Sequence, residues 1–165
     1  MDIREFQESD WSQVWPIIHE VVAAADTFAY DPQMTEEDAR EIWLLAPPGR
    51  TVVAVEDDEV LGTAVMGPNH RGPGSHIATA SFMVASGDRG KGVGAALCQF
   101  ALSWAQHEGY AGMQFNAVAE TNTAAVRLYE RLGFQTIGTI PGAFEHPTEG
   151  RVGLHVMYRQ FADSA

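Results

Sequence analysis

The apolar residues of this chain change period along its length, and each change marks an element. Residues 2–6 read as a short strand, and Ser9 or Asp10 caps a helix that runs to about Ala25, with Pro16 in its first turns. Thr27-Phe28-Ala29-Tyr30-Asp31-Pro32 breaks the pattern as a loop, its proline holding the preceding residue extended. Thr35 to Asp38 has the spacing of a capping box and opens a second helix, which ends before Pro47. Thr51–Glu56 and Val60–Met66 form a hairpin about Asp57–Glu59, and Gly67–Gly74 is a loop. His76–Ala85 is a strand with Ile77, Thr79, Ser81 and Met83 on one face and Ala78, Ala80, Phe82 and Val84 on the other.

Val93, Leu97, Phe100, Ala101 and Trp104 then recur at helical spacing, and Gly109 stands just past that helix. Gly112–Val118 is a strand. Asn122 caps a further helix whose apolar stripe is Ala125, Leu128, Tyr129 and Leu132, with Gly133 ending it. Phe134–Ile140 and Val152–Arg159 are the last strands, joined by a loop over Pro141–Gly150. The order β-α-α-β-β-β-α-β-α-β-β predicts an α/β fold, one mixed sheet with helices on both faces. At 165 residues, with no repeat or linker, the chain reads as a single domain, 1–165.

The junction between the central strand and its helix carries the most chemistry. It reads Arg89-Gly90-Lys91-Gly92-Val93-Gly94. Glycines let backbone N–H groups approach a ligand, and a helix N-terminus adds unpaired donors and partial positive charge. With Arg89 and Lys91 this makes a seat for phosphate oxygens, hence a pocket for a pyrophosphate-bearing cofactor. The nucleotide phosphate loop G-x-x-x-x-G-K-[ST] is absent, since Ala85 and Gly92 stand where its first glycine and its hydroxyl belong. Gly90 to Ala95 satisfies G-x-G-x-x-A, but the acid expected at the end of a second strand is missing: Glu108 lies in a helical run and Glu120 lies 30 residues on. A dinucleotide-binding protein is therefore a distant alternative.

A third pattern, [RQ]-x-x-G-x-[GA], is met by Arg89, Gly92 and Gly94, and about 30 residues later comes Asn122-Thr123-Ala124-Ala125-Val126-Arg127-Leu128-Tyr129, ending in Leu132-Gly133-Phe134. This pair of motifs resembles the GNAT superfamily of acetyl-CoA-dependent N-acetyltransferases over roughly residues 2–160. The resemblance implies a splayed sheet and an enzyme that moves an acetyl group from acetyl-CoA to the amine of a small molecule, such as an amino acid or analogue. Acetylation of a protein N-terminus or lysine, or non-catalytic sensing of acyl-CoA, are the rival readings.

The resemblance also assigns residues. Phe82, Met83 and Val84 hold the pantetheine arm on exposed backbone, and Arg89, Gly90, Lys91, Gly92, Val93 and Gly94 hold the phosphates. Tyr129 matches the family's usual general acid, and a phenol keeps its proton at neutral pH. Periodicity alone would leave Tyr129 in the core. Asn122 matches the asparagine that contacts the cofactor arm beside it, and serves equally as a helix cap. Thr-Phe-x-Tyr-Asp-Pro around Phe28 and Tyr30 resembles the substrate loop of the phosphinothricin and amino-acid acetyltransferase branch. Asn116, Asn122 and Pro141–Phe144 are more loosely similar to yeast acetyltransferases acting on proline analogues, which differ in carrying asparagine where this chain has Thr79. Phe28, Tyr30 and Asn116 are thus the candidate acceptor contacts. The general base is open among Glu120, Glu145 and His146, because residues 76–86 hold no carboxylate.

Charge narrows the partners. The net charge is −12, with 15 acids and 3 bases in residues 1–60 and 7 of each in residues 61–165. Such a chain is a poor nucleic-acid binder, its neutral part carries the phosphate seat, and its acidic part can attract amines. The single Cys98 excludes an internal disulfide and suits a reducing cytoplasm. The opening residues have no secretory pattern, and no apolar run reaches membrane length. The six histidines have no metal-ligand spacing, so no metal is expected. A homodimer is compatible with the sequence.

Overall fold

The computed structural model describes residues 1–163. Seven strands and four helices follow the expected order: β1 (Asp2–Glu5), α1 (Trp11–Ala24), α2 (Glu36–Trp43), β2 (Arg50–Glu56), β3 (Glu59–Pro68), β4 (Ile77–Val84), α3 (Val93–His107), β5 (Gly112–Ala119), α4 (Thr123–Arg131), β6 (Gln135–His146) and β7 (Gly150–Gln160). They form one sheet in the order β1-β2-β3-β4-β5-β7-β6. Neighbours are antiparallel except β4 and β5, which run parallel and pair only at Ile77↔Gly112 and Ala78↔Met113. Beyond Ala78 the two strands part. This is the splayed, mixed sheet the motifs imply.

Alternation along the strands divides the core in two. Val52, Ala54, Ala64, Ala78, Ala80 and Phe115 pack with Val93, Leu97, Cys98 and Ala101 of α3. Val53, Val65 and Met83 pack with Val14, Ile18 and Val21 of α1 and with Trp43 of α2. So α3 covers one face and α1 and α2 the other. In α1 the buried residues Val14, Ile17, Ile18, Val21 and Val22 recur at helical spacing, while Pro16, lying inside the helix, is exposed. The hydrogen bond that Pro16 cannot make is thus lost on the wet side, where water can replace it.

Caps expected from sequence take two forms. Thr35 and Asp38 form the reciprocal capping box, each side chain accepting from the other's backbone N–H at 3.2 Å. Asp10 does not cap α1. Its carboxylate instead takes two hydrogen bonds from Arg4, at 2.8 and 2.9 Å, and one from Gln7 N–H at 2.7 Å. The Arg4 guanidinium holds this carboxyl below its ordinary range.

The last hairpin departs from expectation. The loop placed at Pro141–Gly150 is strand to His146, turns within three residues, and resumes at Gly150. Pro141 and Gly142 sit in a register shift between Ile140 and Phe144, with Gly142 at φ +62°. A bulge tolerates both residues inside an edge strand. The strand before the bulge is solvent-facing, with Ile137 62% and Ile140 57% exposed.

One buried polar chain ties α2 to the sheet. Trp43 Nε1 donates to Thr63 Oγ1 at 3.0 Å, and Thr63 donates onward to the Val52 carbonyl at 2.9 Å. Thr51 Oγ1 also donates to the Trp43 carbonyl. Trp43 and Thr63 are fully buried. Thr63→Val keeps the shape but strands the indole N–H away from water, so it should cost ~1–3 kcal/mol. Urea unfolding checks this, and an unchanged midpoint would mean that the indole finds another acceptor.

Candidate active site

Where β4 and β5 part, a cavity of about 340 Å³ opens through the sheet. Its lining comes from both sides. Thr27, Phe28, Ala29 and Tyr30 of the α1–α2 loop, with Thr79, Ser81 and Asn116, form one end. Phe82, Val84, Gly94, Phe115, Asn122, Ala125, Leu128 and Tyr129 form the other. Strand alternation explains the division: Thr79 and Ser81 share a face with Met83, against α1 and α2, while Phe82 packs in the α3-side core.

The split also exposes backbone. Ala85 N–H donates to the Leu61 carbonyl at 2.9 Å and Asn69 N–H to the Ile77 carbonyl at 2.7 Å, so odd-numbered residues of β4 bond to β3. The peptide groups of Phe82 and Val84 therefore point into the gap. Met83 does not fit the expected contact. Its peptide groups face β3, and its side chain is 1% exposed in the core beneath α1 and α2.

The glycine turn leads directly to α3. Gly90 and Gly92 have φ of +78° and +84°, and a side chain added at either would meet nothing within 4 Å. The left-handed backbone requires glycine here, and the open space is where a ligand can lie. No side chain caps α3. Ala96 N–H bonds the Gly92 carbonyl, and the N–H groups from Val93 to Ala95 begin the helix without intrahelical partners. Arg89 is exposed and forms no ion pair among the described residues. Lys91 pairs with Asp88 at 3.0 Å, so its charge is partly offset within the turn.

Tyr129 reaches the cavity from α4. Its ring packs 4.5 Å from Phe115 and 6.4 Å from Phe82, centroid to centroid. Burial, and then the nearby Cys98 thiol, push its hydroxyl well above the ordinary phenol range. Cys98 lies behind it, fully buried, and desolvation raises its thiol to about 12. Both groups are thus protonated at neutral pH. Asn122 does cap α4, its Oδ1 accepting from Ala125 N–H at 3.3 Å, and it also lines the cavity.

The opposite end is aromatic and polar. Phe28 and Tyr30 stack at 5.6 Å with an 8° interplanar angle. Burial raises the Tyr30 hydroxyl, and Ser81 beside it partly counters the shift. Asn116 stands in a β5 bulge between Phe115 and Val118, donates to Asn69 at 2.7 Å, and accepts from Gln114 at 2.9 Å. This amide chain was missed in the sequence because Asn69 lies 47 residues from Asn116. Thr79 and Ser81 did leave a signal: two hydroxyls on the inward face of a core strand.

The three candidate bases do not line the cavity. Glu120 accepts from Gly153 N–H at 2.7 Å, Glu145 from Arg151 at 3.2 Å, and the His146 ring from Thr148 N–H at 3.2 Å. Among the described residues no group of three metal-ligating side chains occurs, and no helix is long and apolar enough to cross a membrane.

The acetyltransferase (GNAT) family model matches residues 8–134. The chain belongs to this family. A phosphinothricin N-acetyltransferase from Streptomyces coelicolor is 32% identical to this GNAT protein over 133 residues, covering 73% of each chain. An N-acetyltransferase from Schizosaccharomyces pombe is 38% identical over 84 residues, which is 51% of the GNAT chain but only 40% of the yeast protein. A solved GCN5-related N-acetyltransferase from Kribbella flavida shares 53% identity at TM-score 0.94, with 97% of each chain covered. A phosphinothricin acetyltransferase from Sinorhizobium meliloti, solved with acetyl-CoA, has the same fold at TM-score 0.87 and 18% identity, over 99% of this chain and 90% of its own.

Proposed function

We propose that this GNAT protein transfers an acetyl group from acetyl-CoA to the amine of a small molecule, with Tyr129 as the general acid. The observation that carries this reading is the cavity through the β4–β5 gap, with a half-buried, protonated phenol at one end and an aromatic, amide-lined chamber at the other. Acetyl-CoA supplies the activated acyl group. The residues present fit it. The phosphates fall to Arg89 and to the glycine turn, through the backbone of Gly90 to Gly94. The arm falls to the open peptide groups of Phe82 and Val84, with Asn122 beside it. Preorganised N–H groups of this kind also suit an acyl oxygen that gains charge.

The acceptor end belongs to a cavity of about 340 Å³ in all and is walled by the stacked Phe28 and Tyr30, which favours a compact amine over a protein side chain. An amino acid, the expectation from the loop motif, would lay its carboxylate against hydroxyls and an amide with no cation among the lining residues. An uncharged analogue fits these groups better.

A thiol-release assay with acetyl-CoA over small amines, amino acids, spermidine and lysine peptides tests the reading. Turnover confined to peptides would refute it. Phe28→Ala should raise the acceptor KM by roughly 10-fold, about 1.4 kcal/mol of lost aromatic contact, and leave the acetyl-CoA KM nearly unchanged. A change confined to acetyl-CoA would remove this loop from the acceptor chamber.

A further inference from the structure

The acceptor end of the cavity is lined without a formal charge. Its side chains are those of Thr27, Phe28, Tyr30, Thr79, Ser81 and Asn116. Charged groups on the surrounding elements are engaged elsewhere or stand outside the lining. Asp31 accepts from Gln33 N–H at 2.9 Å, and Asp26 is not among the lining residues. From β5, Glu120 turns to Gly153, and on α4 Arg127 and Glu130 are exposed. His70 and Arg71 follow Asn69 beyond β3 and do not line the cavity. Behind Tyr129 stand the neutral Cys98 thiol and Arg159, whose guanidinium donates to the Leu132 carbonyl at 2.9 Å. The two lining phenols, Tyr30 and Tyr129, are both raised by burial and stay neutral through the physiological range.

Among the lining residues an ammonium meets no carboxylate, and a carboxylate meets no cation. Hydroxyls and amides offset only part of the cost of desolvating either charge. We infer that the acceptor enters as the free base of a compact amine bearing no second charge, because among the described residues lining the cavity no carboxylate or imidazole stands ready to take a proton from it. This rests on the acetyl-transfer reading above. The proton count closes without a base from the protein. The amine nitrogen forms its bond to the acyl carbon, the carbon–sulfur bond breaks with its electron pair leaving on sulfur, and the proton that nitrogen loses is the one that sulfur gains. A hydroxyl that gives one proton and takes one serves both atoms. The site therefore selects amines by how much free base they offer, and by a neutral remainder that Ser81, Asn116 and the Phe28–Tyr30 stack can hold.

The test is kcat/KM from about pH 6 to pH 10 at saturating acetyl-CoA, for 2,2-difluoroethylamine, glycinamide and benzylamine, in rising order of basicity. The acid-side midpoint should climb with the amine, and the profiles should flatten when rates are expressed per free base. A midpoint shared by all three amines would report a protein base and overturn the inference while leaving acetyl transfer intact. Phenylalaninamide should exceed phenylalanine by ~10-fold or more per free base, and equal rates would overturn the exclusion of a second charge. Turnover of lysine peptides or spermidine with none of the small amines would overturn both this inference and the small-molecule reading.

Discussion

Tyr129→Phe should lower kcat by ~10²-fold or more, the usual scale for a lost general acid, with little change in melting temperature. The ring keeps its packing against Phe115, Phe82 and Phe134, so the fold loses only a hydroxyl. Burial raises the Tyr129 pKa, which favours the protonated form and moves any loss of the acid to higher pH than for a free phenol. Steady-state kinetics at saturating substrates, together with thermal melts, check both halves. An unchanged kcat would return Tyr129 to a packing role.

Gly92→Asp should abolish stabilisation by acetyl-CoA and raise its KM by ~10²-fold or more. Two causes add. Gly92 has φ +84°, where a side chain strains the backbone by ~1–2 kcal/mol. The new carboxylate would also stand among the phosphates, and two like charges ~4 Å apart near a surface repel by ~4 kcal/mol before salt screening. Gly92→Ala separates the causes, since an added Cβ meets nothing within 4 Å and brings only the strain. Thermal shift against acetyl-CoA concentration is the measurement, because a ligand that binds the native state raises its stability by mass action. A Gly92→Asp variant with the parent's full shift would move the phosphate seat elsewhere.

What the sequence revealed was local, and what it hid was pairing. Thr35 to Asp38 and Asn122 announced their caps because a cap is a contact between residues three apart. The alternation from Ile77 to Val84 placed Thr79 and Ser81 together before any strand was paired. The β4–β5 parting depends on which strand lies beside which, and only the motif resemblance suggested it. Met83 sits in the same motif as Phe82 and Val84, yet the bonding of β4 to β3 turns it away from the gap. In the last hairpin, Pro141 and Gly142 are written alike for a loop and for a bulge. The distinction lies in Val152 opposite Phe144, which keeps the strand paired beyond them.

The two-sided opening of the cavity has a kinetic meaning. In the proposed arrangement the donor enters from the α3 and α4 face and the acceptor from the α1 and α2 face, so neither has to wait for the other's channel to clear. Both must be present before the acetyl group moves, because among the described residues no nucleophile in the chamber is activated to store it: Cys98 is buried with its thiol raised to about 12, and Ser81 has no histidine or carboxylate among the lining residues to take its proton. Double-reciprocal plots should therefore intersect rather than run parallel. Free coenzyme A should compete with acetyl-CoA and leave the acceptor's apparent affinity nearly untouched.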